Sequence, residues 1–422
     1  MAKLTTTFQN RDQIDAALVS ARQALDGEHA LTLMQTAFDH VVEFEPTSYG
    51  IPTNSRVSVR YANGDTALIQ GSSLLGKTRQ ISQLDYQFAD GSKAVLNGAV
   101  TLAANGTLSG SLTQAQIYAP WHGTTTLYGT IDVASHDINL SRVVLQTLDA
   151  TLDMQGRIKG YIWSDGAAYH TSHSGILNSL NLDQNGQSLQ ITGLSQVVNS
   201  TSGPLSGNGL ILADLMKGND TLTLSGLAGK LFGFDGDDTL NGTDGTDTAQ
   251  FSGARSHYSV TKNGADWIVK DNAAQGGSDR LVNVERLEFT DGKLALDLAA
   301  GGKALSTAKI LGAVFGREAV ANKEYAGIGL ELLDGGTSYA ELMELALDAR
   351  LGAGFSDAEL VKLLYQNIAG IQPSTDDLNF YVRAITSGEF TQTSLATMAA
   401  DLDLNLANID LVGLNQTGLA YQ

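Results

Sequence analysis

The chain has 422 residues, with 26 Lys plus Arg against 45 Asp plus Glu, a net charge of -19 and no cysteine. Its length allows two to four domains with real cores. The charge argues against nucleic acid and anionic membranes as partners, and the missing thiols exclude disulfides, a thiolate nucleophile and zinc–cysteine sites. Low Lys with abundant Gly, Asn, Asp, Ser and Thr suits an exported protein. The first residues, Met1 to Thr7, show no apolar h-region, and no run is long enough to span a membrane.

Arg11 to Leu25 has helical spacing, with Ile14, Leu18, Ala21 and Leu25 on one face and Asp26-Gly27 as the stop. It is a cap or docking segment within residues 1–30. Residues 31–212 are expected to form an all-β domain. The turn dipeptides Asn63-Gly64, Asp90-Gly91, Asn105-Gly106, Asp165-Gly166 and Asn185-Gly186 separate apolar runs, and Arg56 to Tyr61 and Leu84 to Phe88 alternate with period two. A second pattern, apolar-x-Gly-x-apolar, recurs at Leu96–Val100, Leu108–Leu112, Leu127–Ile131 and Ile158–Ile162. Its glycine leaves a gap in a buried face, which invites a bend or bulge. The expectation is a curved antiparallel stack, either a sandwich or a solenoid.

From Leu215 to Gln250 the chain divides into nines, beginning at Leu215, Leu224, Gly233 and Gly242. Glycines and carboxylates mark the loops: Gly218 and Asp220; Gly233, Asp235, Gly236 and Asp238; Gly242, Asp244, Gly245 and Asp247. The apolar eighth position is Leu222, Leu231, Leu240 and Ala249. Gly229 stands where the second repeat would carry Asp, and Phe234 and Thr243 stand where a second glycine is usual. Glycine permits the sharp turn, and carboxylates with loop carbonyls are the hard donors that Ca²⁺ prefers.

These nonapeptides resemble the calcium-binding repeats of RTX proteins, bacterial chains that form a parallel β-roll. The resemblance implies calcium held between loops two repeats apart. One edge would join Asp220 to Asp235 and Asp238; the other would join the degenerate second loop to Asp244 and Asp247. The first is expected to be the better site. Residues 213–300 are expected to form this module with its capping strands. The run Asp279, Leu281, Asn283, Val284, Glu285, Leu287 and Phe289 resembles the segment that follows such repeats, and Asp279 is a further candidate ligand. The resemblance also implies export from a Gram-negative cell through a type I secretion apparatus that reads an uncleaved C-terminal signal. The uncharged tail from Leu411 to Gln422 is the candidate for part of it.

Residues 301–422 are expected to be helical and duplicated, at an offset of about fifty residues. Leu311, Phe315, Gly335 and Leu342 match Leu364, Ile368, Gly388 and Leu395. The second copy resembles a helical domain of unknown function found beside RTX repeats.

Gly71 to Thr78 spells a phosphate-loop pattern, but a strand follows where a helix is required, so it is rejected. No H-E-x-x-H or G-x-S-x-G is present, and no acid/base pair can be picked from the scattered carboxylates. His170 and His173 stand three apart, and the stretch from Thr126 to Asp132, with Tyr128 and nearby His122, faintly resembles part of a type-I-secreted haemophore. The expectation is a non-enzymatic, calcium-dependent structural protein of surface-layer, adhesin or biofilm-matrix type. It would be extracellular or on the cell surface and would self-associate or attach to a surface component without inserting into the membrane. The alternatives are haem capture and an enzyme with an unreadable site.

Overall fold

The computed structural model describes residues 1–23, 27–43, 46–164, 169–199, 212–273 and 276–422. The chain is mixed β and α, in two compact units, Met1–Ser225 and Gly226–Gln422. Among the described residues no helix is long and apolar enough to cross a membrane.

The first unit contains β1 (Lys3–Thr6), α1 (Arg11–Gln23), α2 (Gly27–Glu43), β2 (Ser48–Tyr49), β3 (Arg56–Arg60), β4 (Thr66–Ser72), β5 (Arg79–Gln87), β6 (Lys93–Leu102), β7 (Leu108–Ala119), β8 (Gly123–Asp132), β9 (Asp137–Gln146), β10 (Ala150–Ser164), β11 (Tyr169–Gln184), β12 (Gln187–Thr192), β13 (Gln196–Asn199), α3 (Leu212–Leu215) and β14 (Thr221–Leu224). From β2 to β12 each strand pairs antiparallel with the next. Strand β13 pairs with β11, and β1 lies between β12, antiparallel, and β14, parallel. This is one long meander.

Helix α2 corrects the all-β expectation for residues 31–212. Ala30, Leu33, Met34, Ala37 and Phe38 are all buried, at the three-and-four spacing of a helix face. That face packs against β6, β7 and β11, while α1 buries Ile14, Ala17, Leu18 and Ala21 and packs against β10 and β11. The segment lacks the turn dipeptides that mark the strands after it. The expected stop of α1 at Asp26-Gly27 and the turn Asp165-Gly166 fall on or beside residues outside the described set. The other four dipeptides lie between consecutive strands, with Gly64, Gly91, Gly106 and Gly186 at φ of 94°, 94°, 84° and 78°. The phosphate-loop lookalike joins β4 to β5 in an ordinary antiparallel pair.

The glycine-centred motifs mark close backbone approach. A Cβ on Gly98 would lie 2.3 Å from the Ser111 carbonyl oxygen, and one on Gly129 would lie 2.2 Å from that of Asn139. The ladder slips one residue beside each of them, and again between Gln155 and Gly156. Such bulges bend strands and increase their twist.

The second unit begins with β15 (Lys230–Leu231), β16 (Thr239–Asn241), β17 (Thr248–Gln250), β18 (Tyr258–Asn263), β19 (Asp266–Asp271), β20 (Ser278–Val282), β21 (Arg286–Phe289) and β22 (Gly292–Ala295). The helical part follows: α4 (Lys303–Ile310), α5 (Lys323–Asp334), α6 (Tyr339–Leu351), α7 (Asp357–Leu364), α8 (Thr375–Thr386), α9 (Gln392–Ala400), α10 (Asp403–Asn408), α11 (Leu411–Thr417) and a last strand β23 (Leu419–Tyr421). The short strands alternate between two sheets. β16 pairs parallel with β20 in one; β15, β17 and β21 run parallel in the other. β18 and β19 form a hairpin inserted before β20. Leu231, Leu240, Ala249, Leu281 and Leu287 are each no more than 2% exposed, so each of these five strands turns an apolar side chain inward at the equivalent register position.

The helical duplication is evident in matching turns. α4 and α7 both run on into a π turn, Leu311–Phe315 and Tyr365–Ala369, and both turns end on a positive-φ glycine, Gly316 (90°) and Gly370 (70°). Gly370 is therefore the counterpart of Gly316. Asn322 and Ser374 cap α5 and α8, and Ser338 and Thr391 cap α6 and α9. The counterpart of Gly388 (φ 82°) is Gly336 (φ 99°), not Gly335, and both donate to the carbonyl three residues back. Between glycine and cap lie Thr337 in the first copy and Glu389-Phe390 in the second, so a one-residue insertion hides the match in sequence. The two copies share one core that includes Ile310, Val314, Leu342, Leu364, Ile368 and Leu395. The uncharged tail is folded: β23 pairs antiparallel with β22, and Leu419 is 1% exposed.

Candidate metal centre

Gly229, Asp238, Asp247 and Glu285 stand immediately before β15, β16, β17 and β21, and Asp279 stands two residues before Leu281 near the start of β20, each at the position that the nonapeptide reserves for its carboxylate. The structure gives these carboxylates a common task. The Asp238 N–H donates to Asp279 Oδ1 at 3.0 Å, the Gly229 N–H to Asp247 Oδ1 at 2.7 Å, and the Asp247 N–H to Glu285 Oε2 at 2.9 Å. In the first unit the Ala2 N–H donates to Asp220 Oδ1 at 2.6 Å. The strand registers Thr239↔Arg280, Lys230↔Thr248, Thr248↔Arg286 and Lys3↔Thr221 put donor and acceptor at the same position of successive layers. Asp279, Asp247, Glu285 and Asp220 thus each hold the layer before them. Asp279 and Glu285 continue the columns of Asp238 and Asp247, as their places before Leu281 and Leu287 imply.

The two columns of the second unit differ in what surrounds them. Asp247, fully buried, is satisfied by the protein. Besides the Gly229 N–H, its Oδ2 accepts the Thr243 N–H at 2.5 Å and the Thr243 hydroxyl at 2.8 Å. Thr243, in place of a glycine, supplies both donors. Glu285, in the same column as Asp247, has its pKa raised by burial and by the charges of Asp247 and Asp297, with Arg286 opposing; the other column gathers more carboxylates and, among the described residues, no such cation. Asp238 and Asp279 are 2% and 5% exposed. A Cβ on Gly233 would lie 2.5 Å from Asp238 Oδ2 and 3.1 Å from Asp279 Oδ2, so both carboxylates converge where only glycine leaves room. Burial first, then the charges of Asp238, Asp237 and Asp271, push the Asp279 carboxyl up to about 8, against the pull of the Asp238 N–H. Buried, mutually repelling carboxylates with hard oxygen donors suit a divalent cation such as Ca²⁺. Among the described residues no group of three or more His, Asp or Glu already stands in ligating geometry.

Asp235 and Asp244 are exposed on the loops. Gly218 and Gly236 take φ of 101° and 126°, while Gly242 and Gly245 stay out of the positive-φ region but pack close to Asn283 and Ala228. Phe234 is held at φ 68°, a conformation that glycine adopts without strain. Asp220 belongs to the first unit, and burial raises its pKa while the Ala2 N–H lowers it. Asp237 and Asp271 escaped the repeat pattern. Asp237 sits one place before the column, and Asp271 arrives from the inserted hairpin, whose position no nine-residue phase indicates.

The histidine and tyrosine candidates are spread along the meander. His122 lies in the turn before β8, and Tyr128 lies within β8 with the Arg142 guanidinium 5.2 Å from its ring centre. His170 and His173 lie in β11 opposite Trp163 and Gly160; their side chains are outside the described set. The turn at His122 adjoins the Gln146 end of β9 and hence the start of β10, and Trp163 is near the other end of β10, about 40 Å of strand away. His122 and His170 therefore stand at opposite ends of the sheet. No family model and no curated protein matches the chain.

Proposed function

We propose that this chain is a non-enzymatic, extracellular structural protein whose second unit is a short RTX-type β-roll consolidated by calcium. The observation that carries the reading is the acidic column. Asp279 is buried beside Asp238, with Asp237 and Asp271 adding to the negative field, and its carboxyl is pushed up to about 8. Asp238 and Asp279 would be the central ligands, with Asp237 and Asp271 at the margin. Calcium would supply the positive charge that lets these side chains ionise without repelling one another. The Asp247–Thr243 column would act as the metal-independent edge of the roll. Two parallel sheets fed alternately by nine-residue steps support this reading, as does the antiparallel cap of β22 and β23.

In this reading the low calcium of a cell interior leaves the roll loose, and extracellular calcium, at which such modules bind with dissociation constants of roughly 10⁻⁴ to 10⁻³ M, folds it after export. The meander of the first unit is then the working surface, for assembly with further copies or attachment to a cell-surface component. Calorimetric titration of the full chain with calcium tests the first half of the proposal. Light scattering before and after calcium tests the second. Absence of binding at millimolar calcium refutes the roll; a strictly monomeric chain at all concentrations refutes the assembly.

A further inference from the structure

One side of the meander carries a cavity of about 530 Å³ built on β2 to β6. Its floor is set by strand register. Arg60, Thr66, Gln87 and Lys93 form one cross-strand row, and Ser58, Leu68, Asp85 and Val95 form the next. Thr66, Leu68, Asp85, Gln87 and Val95 are only half exposed, while Arg56, Arg60 and Lys93 rise around them in solvent. Tyr49, 63% exposed, closes one side from the short strand β2.

Three cations and one carboxylate line this trough, in a chain whose net charge is -19. Among the described residues, none of Arg56, Arg60 and Lys93 enters an ion pair. Arg60 and Lys93 are three strand spacings apart, roughly 14 Å, and Arg56 is roughly 13 Å from Arg60 along β3. A single phosphate or sulfate cannot reach more than one or two of them. The spacing fits a ligand with several negative groups held apart. Asp85 at the centre accepts a hydrogen bond from Gln83 at 2.7 Å and offers acceptor oxygens, not positive charge, to whatever lies above it. The ligand must therefore present hydroxyl donors at its middle and acids at its ends, and Tyr49 offers it an aromatic face. DNA, with a charge every ~1.7 Å and few hydroxyls, matches poorly and is repelled by the rest of the chain.

We propose that this trough binds an acidic oligosaccharide, with ring carboxylates on Arg56, Arg60 and Lys93, a sugar hydroxyl on Asp85 and a ring face on Tyr49. The site lies in the first unit and does not depend on the calcium reading. Isothermal titration of the full chain with a galacturonate tetramer tests it, beside a neutral galactose tetramer, inorganic phosphate and single-stranded DNA. The acidic tetramer is expected to bind at least about tenfold more tightly than the neutral one. Arg60→Gln and Lys93→Gln are each expected to weaken it about tenfold, with Lys159→Gln on β10 as the unchanged control. The substituted side chains are exposed, and circular dichroism verifies that the fold persists. No binding of the acidic tetramer, equal binding of the neutral one, displacement by phosphate at matched ionic strength, DNA binding as tight, or site variants that behave like the control would each overturn the proposal.

Discussion

Replacing Asp279 with Asn separates the cost of a buried charge from the benefit of a cation. The Asp279 carboxyl is 5% exposed and titrates near 8 in the folded chain, against ~3.9 when unfolded. Folding therefore takes up a proton between these values. The stability from this group is complete below about pH 4 and is lost as pH rises towards 8, reaching on the order of 4 kcal/mol at pH 7. Asn removes the charge but keeps an oxygen for the Asp238 N–H. In chelator at pH 7, Asp279→Asn should stabilise the second unit by as much as that amount, about 10 °C in melting temperature, and should do nearly nothing at pH 4. In saturating calcium the sign should reverse, because a charged ligand has been removed. Differential scanning calorimetry of both chains across pH, with calcium and with chelator, gives all four comparisons. A substitution that destabilises in chelator at pH 7, or has the same sign with and without calcium, refutes the reasoning.

Asp247→Ala removes the acceptor of three hydrogen bonds from a fully buried site and should cost about 3 kcal/mol equally in calcium and in chelator, as urea unfolding would measure; a strong calcium dependence would move the metal to that column. Arg286, 3% exposed in its side chain, bonds Asp297 at 2.5 Å and Asp334 at 3.0 Å, so Arg286→Met should cost about 3–5 kcal/mol in the same assay by leaving two carboxylates beside an apolar side chain. Phe234→Gly should raise the melting temperature by relieving the φ of 68°, a gain of about 1 kcal/mol, and no gain would mean that the Phe232–Phe234 ring contact offsets the strain.

What could be read from sequence was what depends on local period. The eighth positions of the nonapeptides all point inward because a nine-residue step returns the chain to the same register position, and Asp279-x-Leu281 marks the next layer by repeating Asp238-x-Leu240. The hairpin turns were legible because Asn-Gly and Asp-Gly demand a positive φ. Helix α2 carries no such mark, since it precedes the turn dipeptides and its apolar residues run on without a break signal into the β domain that begins after it. A one-residue insertion in a turn shifts the phase without disturbing either helix, so a constant offset points to Gly335 where the structure uses Gly336. The acidic neighbours of Asp279 were illegible for a different reason. Asp271 reaches the column through a hairpin whose insertion breaks the repeat, and only register across β19 and β20 brings it close. In the same way, Arg56, Arg60 and Lys93 share a trough only because four strands align.

The central claim is that calcium consolidates the parallel strands of the second unit. Hydrogen exchange of the full chain, followed over 226–298 with calcium and with chelator, tests it most directly. Protection at β16, β20 and the loop between Gly233 and Asp238 should rise sharply with calcium, while the amides of β4 to β9 stay unchanged. Equal protection of that loop and those strands in both conditions would contradict it.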